Sequence, residues 1–102
     1  MSVYVDSAFA AGDWGRWTGG GHLQADTPEE LQEFAGRLGL RPEWLQTKPG
    51  RPENDHYDLT QRGRERAITL GAIEEERAAG TRRRQAIRRA RRNPHTTAEP
   101  RW

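Results

Sequence analysis

His56 and Asp58 stand two residues apart in Asp55-His56-Tyr57-Asp58-Leu59-Thr60, a stretch with the alternation of a short buried strand. Side chains at i and i+2 of a strand point to the same face, so an imidazole and a carboxylate would converge on one ligand, metal or reacting group, while Tyr57 turns into packing. Asp6, His22 and Asp26 carry the same chemistry at other strand ends or adjacent loops. Imidazole with carboxylate suits Zn²⁺, Mn²⁺ or Fe²⁺, and a divalent metal held by Asp6, His22, Asp26, His56 and Asp58 would activate water against a phosphodiester or similar ester. Without metal, His56 would serve as general base oriented by Asp58, with His22 the third catalytic candidate. A structural alternative stands beside each role. Asp58 would bond His56 or cap the following helix, Asp26 would do the same beside Thr27, and His22 would order a glycine-rich loop.

The elements that must position these groups follow from pattern. Val3-Tyr4-Val5 reads as a first strand with Asp6 at its carboxyl end, the end where ligands gather in open α/β sheets. Residues 10–21 form a glycine-rich loop carrying Trp14 and Trp17, without a phosphate-loop pattern. His22 to Asp26 reads as a second strand. Thr27 then supplies an N-cap, Pro28 the first helical position and Glu30 the capping-box partner. Leu31, Phe34, Ala35 and Leu38 recur at i, i+3, i+4 and i+7 before Gly39 supplies a stop.

Pro42 to Gln46 would make a short helical turn and residues 47–54 a polar loop. His56 to Leu59 would be the third strand, Thr60 a second N-cap, and residues 61–70 a helix burying Ala67, Ile68 and Leu70. Ala72-Ile73-Glu74, short and charged, would be a fourth, edge strand. Glu33-x-Ala35-x-x-Leu38-Gly39 reappears as Glu65-x-Ala67-x-x-Leu70-Gly71, which fits two related strand-helix units or simply two amphipathic helices with glycine caps. Trp44 and Tyr57 are expected in the core; Trp14 and Trp17 divide between packing and stacking on a base.

The charge is split along the chain. Residues 1–76 carry eight basic and fourteen acidic side chains, whereas residues 77–102 carry nine and one, so a formal total of +2 conceals two opposed halves. From Glu75 to Arg92 an Ala-, Glu- and Arg-rich helix is expected, with Gly80 a point of interruption and a disordered tail beyond. Arg82, Arg83, Arg84, Arg88, Arg89, Arg91 and Arg92 are the footprint of a nucleic-acid contact. The alternative is a solvated helix, or one that folds back on the acidic residues of the same or a second chain.

With 102 residues, of which 32% are hydrophobic and 31% charged, the chain has room for one small domain near the size where a single core becomes marginal and a homodimer would help. No cysteine is present, which excludes disulfides, thiolate metal sites and cysteine nucleophiles. The longest apolar run, Ala8-Phe9-Ala10-Ala11, falls far short of the roughly 20 residues of a membrane span, so a cytoplasmic protein is expected.

Val3-Tyr4-Val5-Asp6, Arg16-Trp17, His22-Leu23-x-Ala25-Asp26-Thr27, Leu38-Gly39-Leu40, Trp44-x-Gln46, His56-Tyr57-Asp58 and Leu70-Gly71-Ala72 together resemble a family of small uncharacterised proteins of bacteria and actinobacterial phages, marked by the His-Tyr-Asp motif and labelled as a domain of unknown function. The resemblance covers residues 2 to 76, leaves the basic helix outside, and implies the host cytoplasm if the chain is phage-encoded. In relatives the tryptophan lies closer to the His-Leu pair; here Thr18 to Gly21 lengthens the loop.

The expectation is an α/β fold: a three- or four-stranded sheet packed by two helices over residues 1–76, with an Arg-rich helix and tail over residues 77–102. Its expected role is an accessory phage or bacterial protein that binds a phosphate-bearing ligand, nucleic acid or nucleotide, at the His/Asp cluster, with metal-assisted hydrolysis as its chemistry. The competing class is a non-enzymatic interaction protein that sequesters a host protein or a nucleotide signal, its His and Asp residues structural.

Overall fold

A computed structural model describes residues 2–92, so the expected disordered tail lies outside the described residues. Four strands, β1 (Val3–Val5), β2 (Gly21–Ala25), β3 (Tyr57–Leu59) and β4 (Ile73–Glu74), form one sheet in the order β3-β2-β1-β4. β2 is antiparallel to both β1 and β3, and β4 is parallel to β1. Three strands therefore run the same way and β2 opposes them. One edge of the sheet collects the carboxyl ends of β1, β3 and β4 with the amino end of β2, and Asp6, His22 and Asp58 meet there.

Alternation sorts the residues of each strand between two faces. Val5, Leu23, Tyr57 and Leu59 are fully buried on one face, against α1 (Pro28–Leu38) and α2 (Gln61–Thr69). α1 follows its pattern closely: the Thr27 hydroxyl accepts from Glu30 N–H, Leu31, Phe34, Ala35 and Leu38 are buried, and Gly39 closes the helix at φ 80°. α2 is capped likewise by Thr60 and buries Ala67, with Ile68 and Leu70 only half-buried. The opposite face of the sheet carries Tyr4, Asp6, His22, Gln24 and Asp58. That face is polar, so what covers it must be polar as well.

The cover is α3 (Arg77–Arg92), and charge rather than apolar area seats it. Arg83 lies over the Tyr4 ring at 4.1 Å, donates to Gln24, and forms an ion pair of 2.9 Å with Glu75. Arg84 donates to Gln24 at 2.6 Å. Arg88 and Arg91 both reach Glu53, at 3.1 and 2.8 Å, and the Glu53 side chain is wholly buried. The expected alternative of a helix folded back on acidic residues of its own chain is thus what these residues do.

Three expectations are corrected. Gly80 does not interrupt α3; it is buried within the helix, where a Cβ would come 2.9 Å from Glu75 Oε1. Trp44 is not core: it is 51% exposed on a 3₁₀ turn, Pro42–Trp44, whereas Tyr57 is buried as expected. The seven arginines of the expected nucleic-acid footprint are not all free, because Arg83, Arg84, Arg88 and Arg91 line the docked face together with Gly80. No helix among the described residues is long and apolar enough to cross a membrane.

Candidate functional site

Gly20 and Gly21 let the strands approach closely at the ligand edge. A Cβ on Gly20 would fall 1.8 Å from the Leu59 carbonyl oxygen, and one on Gly21 would fall 2.1 Å from that of Asp6. With those side chains absent, His22 pairs across the sheet with Asp58, and Asp6 N–H bonds the His22 carbonyl at 3.2 Å. His56 is tied in by a bridge to Gln46, each backbone N–H donating to the other's carbonyl.

The side chains then converge. Asp6 Oδ1 accepts the backbone N–H groups of His22 and Ala8, and Asp6 Oδ2 faces His22 Nδ1 at 3.0 Å. His56 Nδ1 lies 2.9 Å from the Asn54 carbonyl oxygen. Neither acceptor has a proton to give, so each imidazole donates from Nδ1, and in its neutral form it would keep the lone pair on Nε2. Those two Nε2 atoms each lie 3.7 Å from Asp58 Oδ1. Asp58 Oδ2 accepts a bond of 2.6 Å from Gln46 Nε2. The ligand atoms of His22, His56 and Asp58 all lie within 4.8 Å of one another, and the two rings meet edge to face with centroids 4.8 Å apart.

Two histidines and one carboxylate so placed could hold a metal ion, with a carboxylate and a backbone carbonyl behind the imidazoles and an amide behind the carboxylate. Electrostatics follow the same plan. Burial works to raise the Asp6 carboxyl, but the His22 side chain and the two backbone N–H groups outweigh it and hold Asp6 below the usual carboxylate range. The bond to Asp6 raises the His22 imidazole above its ordinary value, against burial, and the charges of Asp6 and Asp58 add to the rise.

The structure separates the five sequence-proposed ligands. His22, His56 and Asp58 come together; Asp6 stands behind His22 with both oxygens engaged. Asp26 is at the far end of β2, where it accepts from Ser2 N–H and the Tyr4 hydroxyl, and it belongs to a different corner. Nor does Asp58 orient His56: 3.7 Å is beyond hydrogen-bond reach, and the Asn54 carbonyl takes that part. The metal-free base with Asp58 as its orienting partner is therefore not the geometry of this site.

A cavity of about 420 Å³ opens beside the cluster, lined by Asp6, His22 and His56 and by the charged residues Lys48, Glu75, Glu76, Arg77 and Arg84. Of the seven arginines proposed for nucleic acid, Arg83, Arg84, Arg88 and Arg91 are engaged within the chain, whereas Arg82, Arg89 and Arg92 are exposed and make no ion pair among the described residues. The sequence reading missed the outer partners Gln46 and Asn54 and the buried anchor Glu53. Only Gln46 left a local trace, beside Trp44 in the pattern Trp44-x-Gln46; the other two act through a backbone carbonyl and through contacts distant in sequence.

A family described as "Protein of unknown function (DUF4031)" matches residues 3–93. The match contains the whole cluster and also α3, which the resemblance seen in the sequence had left outside. No curated protein and no solved structure matches the chain.

Proposed function

The chain belongs to the DUF4031 family of proteins of unknown function, and from that footing we propose that it holds a divalent metal on His22, His56 and Asp58 and uses it to bind, and to hydrolyse, a phosphate-bearing ligand. The observation that carries this reading is the convergence of one ligand atom from each of His22, His56 and Asp58 within 4.8 Å, with each imidazole tied back through its Nδ1. Burial of two half-exposed histidines and an aspartate does not by itself require that both Nδ1 atoms be tied back. A ligand site does.

Three protein ligands leave positions open for water and for a phosphoryl oxygen. A metal held by these residues would lower the pKa of a water bound to it and would offset charge on a phosphoryl group. Lys48, Arg77 and Arg84 line the same cavity, beside Glu76 and the Arg83-paired Glu75, and would supply the positive charge for a phosphate-bearing ligand. No cysteine takes part, so a reducing cytoplasm, that of a host if the chain is phage-encoded, is a suitable setting.

The test is calorimetry of the full chain with Zn²⁺ or Mn²⁺ and then with inorganic phosphate, alongside turnover of a chromogenic phosphodiester. Stoichiometric metal uptake that is lost in His56→Ala, with phosphate binding and turnover only in the loaded protein, is the expected result. Metal uptake without phosphate binding would remove the phosphate half of the proposal, and no metal uptake would remove all of it.

A further inference from the structure

A second cavity, of about 440 Å³, reaches Asp58, and its walls have a different chemistry. Trp17, Trp44, Leu38 and Leu40 make it largely apolar, while Arg62 and Arg66 add positive charge. Gln46 lines this cavity and the one over the His/Asp cluster alike, and Asp58 lines this one. We infer that the Trp17–Trp44 cavity is a nucleobase subsite, so that the phosphate-bearing ligand at the His/Asp cluster is a mononucleotide.

Four observations carry the inference, which rests on the metal-phosphate reading above. First, an exposed tryptophan leaves a large apolar face in water, and Trp44 is 51% exposed in a chain with few large apolar residues to spare. Second, its position is fixed rather than loose. Its 3₁₀ turn runs through Leu45 into Gln46, whose backbone is paired with His56, so the aromatic wall and the metal ligand are held by one bridge. Third, Gln46 Nε2 must face the Asp58 carboxylate, which leaves Gln46 Oε1 as an acceptor with no partner among the described residues. An N–H on the edge of a base would satisfy it. Fourth, each cavity falls within the roughly 300–1,000 Å³ of small-molecule pockets, and together they suit a ligand with a planar ring at one end and a phosphate at the other.

Arg16 lies 4.8 Å from the Trp17 ring and Arg41 5.8 Å from that of Trp44, contacts that hold the rings and make the surroundings cationic. A neutral aromatic ligand gains nothing from that charge. A nucleotide does.

The experiment is calorimetric titration of the Zn²⁺-loaded full chain with adenosine monophosphate and, separately, with ribose phosphate, which lacks the base. The nucleotide is expected to bind at least about fivefold more tightly, the lower end of what a base stacked on an aromatic side chain contributes. Trp44→Ala is expected to abolish that gap and Trp44→Phe to retain most of it. Because Trp44 is exposed and touches none of the three ligands, both variants should take up Zn²⁺ as the unsubstituted chain does. Equal affinity for the two ligands, or a gap that survives Trp44→Ala, overturns the nucleobase subsite while leaving the metal site standing. A chain that takes up no Zn²⁺ overturns the metal reading and the subsite with it.

Discussion

Asp6 Oδ2 receives the Nδ1–H of His22 at 3.0 Å, and this one bond decides which nitrogen of His22 faces the cluster. In the proposed metal centre it makes Asp6 the residue that orients a ligand rather than a ligand itself. The distinction has measurable consequences.

Asp6→Asn keeps an oxygen for the backbone N–H groups of His22 and Ala8 but turns an amide N–H toward His22 Nδ1. The hydrogen on the ring then moves to Nε2, where it blocks metal. Metal affinity is expected to fall about 10- to 100-fold with the fold intact, as for other outer-shell changes. Asp26→Asn, at the far end of β2, is expected to leave metal affinity unchanged, and calorimetry on the two variants compares them directly.

Gly21→Ala puts a methyl group 2.1 Å from the Asp6 carbonyl oxygen and 2.7 Å from Asp6 Oδ1. Backbone has to move, at a cost of about 1–3 kcal/mol. Urea denaturation should report that loss, and metal uptake should fall with it because Asp6 is displaced from His22.

Glu53→Gln strands Arg88 and Arg91, which close α3 over the polar face of the sheet. A fully buried pair broken in this way costs roughly 3–5 kcal/mol, but the two arginines are 30% and 44% exposed, so solvent screening reduces the expected loss to about 1–3 kcal/mol. Denaturation followed by hydrogen exchange should show α3 losing protection before the sheet does.

Glu53 also sets an acid limit. Burial acts to raise its carboxyl, but a backbone N–H and the Arg91 and Arg88 guanidinium groups outweigh burial and hold it below its ordinary value. A depressed folded-state pKa stabilises the fold above the unfolded value, about 4.3 for glutamate, and that stability is lost as pH falls through the folded value. Stability of the unsubstituted chain should therefore drop below about pH 4.3, and Glu53→Gln should flatten that part of the profile. A profile unchanged by the substitution would show that Glu53 is not the group responsible.

How much of this could be read beforehand depended on range. The His56/Asp58 alternation, the Thr27 and Thr60 caps and the Leu31-Phe34-Ala35-Leu38 stripe are local patterns, and each reappears in the fold. Asp26 was grouped with His22 because both bound the same strand, yet four strand residues at about 3.3 Å each put its two ends some 13 Å apart. Trp44 is expected in the core because the helices offer few large apolar residues, yet its three-residue 3₁₀ turn leaves it 51% exposed at the edge of a cavity. α3 docks by a polar stripe, Gly80-Arg83-Arg84-Arg88-Arg91, that hydrophobic periodicity does not register. Its anchor Glu53 is 35 residues from Arg88 with nothing nearby to mark it.

Thermal denaturation of the full chain, stripped with a chelator and then titrated with Zn²⁺, tests the metal centre most directly. Binding to the folded state alone gives about 2.7 kcal/mol at a hundredfold excess over Kd, which for a domain of this size raises Tm by roughly 10 °C or more. The account predicts that rise in the unsubstituted protein and its loss in His56→Ala and Asp58→Ala. A Tm that is the same with chelator and with Zn²⁺ would contradict it.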